Sequence, residues 1–108
     1  MCALQEKVAI QAVQGTHSAN IVVYAQSISG GTVTLDSVIV KDSAGTVIGT
    51  VSTGITYAVG STSATGIGTA LTTITFASPS GVAQGNAYNV TLISKAGGSF
   101  VSPSFTAA

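Results

Sequence analysis

A chain of 108 residues with three Lys, three acidic side chains and one His has zero formal net charge, and that length accommodates one domain. With no basic excess it lacks the electrostatic footprint that holds DNA or RNA, so nucleic acid is excluded as a partner. With 45% hydrophobic residues it also lacks the low hydrophobicity and high charge of a disordered chain.

Polarity comes instead from 29 Ser and Thr and from 13 Gly. A hydroxyl-rich surface stays hydrated without ionised carboxylates. It suits an acidic exterior, because Glu6, Asp36 and Asp42 are the only acidic side chains to lose. A Ser/Thr-rich β domain with no environmental meaning is the alternative. The lone cysteine, Cys2, forbids an intramolecular disulfide. It reads as a free thiol, a cloning remnant or an intermolecular cross-link point. No apolar run approaches the roughly 20 residues that span a bilayer, and no signal peptide is visible.

In chain order, residues 1–7 read as an N-terminal stub. Ala3, Leu4, Gln5, Glu6 and Lys7 form the one short helix candidate, the possible end of a longer, removed helix. Residues 8–108 read as the domain. Alternation over Val8, Ile10 and Ala12 predicts a first strand toward Gln14, broken at Gly15-Thr16. Residues 20–29 predict a second, with Ile21, Val23 and Ala25 on one face and Val22, Tyr24, Gln26 and Ile28 on the other. Gly30-Gly31 has the spacing of a two-residue hairpin turn leading to a third strand over 32–41. The phase shift from Val33 and Leu35 to Val38 and Val40 predicts a bulge near Asp36-Ser37, or burial of both faces.

Asp42-Ser43-Ala44-Gly45 predicts a type I turn closed by glycine, with a return strand over 46–52. Ile55, Tyr57 and Val59 alternate as a short strand. The Gly/Ser/Thr/Ala segment 60–70 predicts a mobile loop. A strand over 71–76 follows, with Ile74 and Phe76 opposed to Thr73 and Thr75. Residues 87–95 carry the clearest pattern: Tyr88, Val90 and Leu92 form a candidate core face, and Asn89 and Thr91 point outward. Gly97-Gly98 turns the chain into a last strand over 99–106, where Pro103 demands an edge or a bulge.

Seven or eight short strands separated by turns predict an all-β, immunoglobulin-like β-sandwich. Tyr88, opening the penultimate strand after Gly85, occupies the place of that fold's tyrosine corner, although core packing accounts for it equally well.

Little here supports catalysis. His17 is the only imidazole, and no serine is marked as the nucleophile of a triad with Asp36 or Asp42. Three scattered carboxylates make neither a calcium loop nor an acid-base pair, and one His with one Cys makes no zinc site. Gly66-Ile67-Gly68 lacks the lysine and the helix of a phosphate loop. No catalytic, cofactor or metal residue is predicted. Asn89-Val90-Thr91 fits the N-glycosylation pattern, making Asn89 a candidate attachment site, with a plain polar strand face as the alternative.

Three stretches carry a resemblance. Gln5-Glu6-Lys7-Val8-Ala9-Ile10 looks like the exit from a helix into a first strand. The second is 32–42 with the turn at Gly45. The third is 85–94, then Gly97-Gly98, then Phe100 to Phe105. The run from Gln5 to Ala108 resembles the globular head of archaeal type IV pilins and archaellins, without their apolar N-terminal helix. The resemblance implies an extracellular, cell-surface filament subunit for adhesion or display. Its partners would be copies of itself, joined through that missing helix, together with the surface layer or host surfaces. Two alternatives stand beside it: a surface-layer-binding β-sandwich module of an archaellum-associated protein, and a filament subunit joined by strand donation.

Overall fold

A computed structural model describes residues 7–28 and 30–108; all of the helix candidate at 3–7 except Lys7 lies outside them, as do Cys2 and Ser29. Ten strands form: β1 (Val8–Gly15), β2 (Asn20–Ser27), β3 (Leu35–Asp42), β4 (Val47–Val51), β5 (Thr56–Val59), β6 (Thr62–Ala64), β7 (Thr72–Ala77), β8 (Ala87–Ser94), β9 (Ser99–Val101) and β10 (Phe105–Thr106). They make two antiparallel sheets, ordered β1-β2-β7-β5-β6 and β10-β8-β3-β4, with β9 also on β8. These correspond to the ABED and GFCC′ sheets of an immunoglobulin-like sandwich, with β6 added at one edge.

β-branched residues at alternate positions explain the two layers. Ile21, Val23 and Ala25 of β2 face inward with Ile74 and Phe76 of β7. Opposite them lie Val38 and Val40 of β3 and Tyr88, Val90 and Leu92 of β8. All are essentially buried, and they form one core together with Val33, Ile67, Val82 and Phe105. The pleat puts successive side chains on opposite faces, so the same strands turn Val22, Tyr24, Thr73 and Thr75 away from that core.

Several local features follow the sequence closely. Ladder register shifts between Leu35 and Ser37, leaving Asp36 as the extra residue of a bulge. Gly45 donates to the Asp42 carbonyl at 3.0 Å with φ of 86°, a left-handed conformation that favours glycine. Asp42 Oδ1 completes that turn by accepting from the Ala44 and Thr46 N–H groups.

Other expectations are corrected. Gly30-Gly31 is not a hairpin turn: β2 lies in one sheet and β3 in the other, so this segment crosses between layers. A sequence shows that a chain turns, but a turn within a sheet and a turn between sheets use the same residues. The strand expected from residue 32 starts at Leu35, and Val33 instead makes an isolated bridge with Ile67.

That bridge also corrects the mobile loop at 60–70. The segment contains β6, and Ile67 is fully buried while exchanging hydrogen bonds of 2.9 and 2.7 Å with Val33. The apolar side chain of Ile67 anchors an otherwise polar run. Gly66 permits the approach: a Cβ there would lie 2.8 Å from both Thr32 Cγ2 and the Val33 carbonyl oxygen.

The last strand is two. Pro103 has no N–H, so the ladder is interrupted between β9 and β10. Ser102 repairs the gap. Its Oγ accepts from Val90 N at 2.9 Å and donates to the Pro103 carbonyl, while its N–H donates to Val90 O.

Candidate functional site

The residues singled out for chemistry are dispersed. Asp36 and Asp42 stand at opposite ends of β3, about 20 Å apart at the strand rise of ~3.3 Å per residue. The Asp42 carboxylate is occupied in its turn. His17 sits in the β1–β2 connection, its Nδ1 2.9 Å from the Ala108 carbonyl oxygen, and joins neither aspartate there. Among the described residues no three His, Cys, Asp or Glu side chains come together.

The Asn89-Val90-Thr91 tripeptide lies in β8, between β3 on one side and β9 and β10 on the other. Asn89 is half-buried. Thr91 alternates with the core-facing Val90 and Leu92 as expected, but it is buried, 6% exposed, rather than open on the outer face. The flanking side chains explain this: the branched residues Ile39 and Val101 are its cross-strand partners on either side. Asn89 Oδ1 and Thr91 Oγ1 are enclosed without a hydrogen-bond partner. In the folded domain this acceptor sequence is strand, not surface loop.

Tyr88 is 3% exposed and its hydroxyl accepts the Ala83 N–H at 2.7 Å. This is the tyrosine corner's bond back to the upstream backbone. Its ring also packs, tilted, against Phe105 with centroids 6.3 Å apart. One cavity of about 420 Å³ adjoins this corner, lined by Asp42, Ser43, Ile48, Ala83, Asn86 and Tyr88. Its one charged group is the carboxylate already engaged by turn amides.

Among the described residues, Asp36, Lys41 and Asp42 are on β3, Lys95 follows β8, and Lys7 directly precedes β1. The other sheet, β1-β2-β7-β5-β6, contains no Asp, Glu, Lys or Arg. Its outer face presents amides, hydroxyls, alanines and one aromatic ring. Gln14 Nε2 donates to Tyr24 Oη at 2.9 Å, and Gln26 Nε2 donates to the Thr69 carbonyl at 3.4 Å. At one end a second groove of about 240 Å³ opens between Gln14, Asn20, Val22, Thr106 and Ala108. The alternation in 20–29 assigned Val22 and Tyr24 to this face. That Thr106 and Ala108 close the groove was not visible, because the Ala108-to-Gly15 hydrogen bond joins residues far apart in the chain.

No known family matches the chain by sequence, and neither does any curated protein. In fold it is similar to the archaellum periplasmic stator protein FlaG from Sulfolobus acidocaldarius. The two share 16% identity and superpose with a TM-score of 0.60 over 94% of this chain and 100% of that one. At that identity the likeness is one of fold.

Proposed function

We propose that this chain is a non-catalytic, archaellum-associated β-sandwich module of the archaeal cell envelope, which docks on the surface layer outside the membrane. The observation that carries the reading is the fold likeness to an archaellum stator protein, which spans nearly the whole of both chains. The dispersal of His17, Asp36 and Asp42 accords with a binding role. The pilin-head expectation draws on three stretches of sequence pattern, and the fold likeness to an archaellum stator protein favours the archaellum-associated alternative.

The test uses the gene, with its native upstream sequence, deleted and restored in the organism that encodes it. Loss of swimming with adhesive filaments intact, together with co-sedimentation of the domain with isolated surface-layer sheets, is the expected result. Loss of adhesive filaments with swimming intact would return the pilin-head reading.

A further inference from the structure

We propose that the groove beside Tyr24, on the outer face of the uncharged sheet, is a binding site for a neutral oligosaccharide. The inference stands on the groove itself and does not require the archaellum reading.

Charge narrows the ligand first. No strand of this sheet carries an ionised side chain. Phosphate, sulfate, uronate or an anionic lipid surface is ordinarily held by Arg and Lys, and these strands have neither; the imidazole near the groove, His17, is turned to the Ala108 carbonyl oxygen at 2.9 Å. A cationic ligand would find no Asp or Glu side chain on these strands, whose side chains are neutral.

The polar groups narrow it further. Gln14, Asn20 and Thr106 line the groove, and amides and hydroxyls each present a donor and an acceptor. A sugar hydroxyl is likewise both. Asn20 and Thr106 are exposed, so their side chains are accessible to a ligand. Gln14 is held by its bond to Tyr24 Oη, which orients the amide and leaves its carbonyl oxygen to accept. Val22, Gly15 and Ala108 supply apolar wall between these polar groups.

Tyr24 supplies the remaining element. Its cross-strand neighbours are the small residues Ala12 on β1 and Thr73 on β7, and Tyr24 is half-buried, so part of its surface remains open. An aromatic surface with a polar tip, placed beside a polar groove, matches the mixed character of a pyranose, whose C–H faces are apolar and whose rim is polar. For a protein partner Tyr24 would be the one anchor of the kind in which interface energy concentrates, since the groove's lining has no Trp, Phe, Met or Arg to add to it.

The experiment is a titration of the isotope-labelled protein, followed by backbone amide shifts. The probes are neutral mannose, glucose and galactose oligosaccharides and their sulfated or uronic counterparts. Saturable shifts confined to Gln14, Gly15, Asn20, Val22, Tyr24 and Thr106, with neutral sugars alone, are expected. Tyr24→Ala should weaken binding at least tenfold with the remaining spectrum unchanged. Thr106→Val, on an exposed side chain, supplies a second variant with the same direction should Tyr24→Ala unfold. The proposal is overturned if no neutral sugar shifts these amides at millimolar concentration. It is equally overturned if the shifts fall at the Asp42–Tyr88 cavity, if acidic sugars bind as well, or if surface-layer protein stripped of its glycans still binds this face.

Discussion

The hydroxyl of Tyr57, on β5, accepts the backbone N–H of Leu35, on β3, at 3.0 Å, so a side chain of one sheet completes the hydrogen bonding of the other. The bulge at Asp36 explains why the bond is needed, because the register shift there interrupts β3's ladder to β8 beside Leu35. Tyr57→Phe keeps the ring and leaves that N–H unpaired. A loss of about 1–3 kcal/mol is expected in denaturant unfolding. A loss below a few tenths would show that water replaces the phenol.

Burial pushes the Tyr57 hydroxyl above its ordinary pKa, and the Leu35 hydrogen bond opposes this in part. The folded state therefore holds the proton at pH values where the unfolded chain releases it. Its contribution to stability is full below a pH of about 10 and is lost as pH rises through the higher folded value. Thermal melts should show a decline above pH about 10 that is shallower in Tyr57→Phe than in the parent. Equal slopes would remove Tyr57 as its source.

Thr91→Val replaces an enclosed, unpartnered hydroxyl with a methyl of similar size. Leaving such a group unsatisfied costs about 1–3 kcal/mol, so the variant should equal or exceed the parent in melting temperature. A clear fall would reveal a hydrogen bond of Thr91 within the fold.

Val90→Ala empties space in the centre of the core, where Val90 is 0% exposed, and should cost roughly 1–3 kcal/mol. Val101→Ala, on a side chain 65% exposed, should stay within about 0.5 kcal/mol. Equal costs at the two positions would contradict the assignment of faces on β8 and β9.

Gly66→Ala forces a methyl against the Val33 carbonyl oxygen and Thr32. Overpacking of this kind typically costs about 1–3 kcal/mol. Amide hydrogen exchange at Val33 and Ile67 should accelerate more than exchange in β2 or β7. Unchanged protection would mean that the 60–70 segment is not pinned through this bridge.

Much of the fold was legible because the pleat repeats every two residues. Val8, Ile10, Ile21, Val23, Ile74, Phe76, Tyr88, Val90 and Leu92 declared their faces by spacing alone, and Asp42 with Gly45 declared a turn. The place of Tyr88 after Gly85 admitted a corner role or plain core packing, and the structure shows both, with its hydroxyl on the Ala83 N–H and its ring in the core. The Asp36 bulge was visible as a break in phase. These are local properties, set by backbone sterics and by neighbours within a few residues.

The long-range features were not legible. Whether Gly30-Gly31 closes a hairpin or crosses between sheets depends on which strands pair. Pairing is decided by the total apolar surface that two layers bury together. Thr91 and Thr73 read alike as polar outer positions on central strands, yet Thr91, flanked by the branched side chains of Ile39 and Val101, is buried while Thr73, flanked by Tyr24 and Ala58, is half-buried. The same holds for the groove. Composition showed that charge is scarce, but only the division of strands into two sheets put the described β3 charges on one layer and none on the strands of the other. The sequence by itself determined the strands, most of their faces and the scarcity of ionised groups, because these follow from periodicity and residue type. Tertiary structure alone decided the sheet order, the anchoring of Ile67 and the groove of Gln14, Asn20 and Thr106, because each is a contact between segments far apart in the chain.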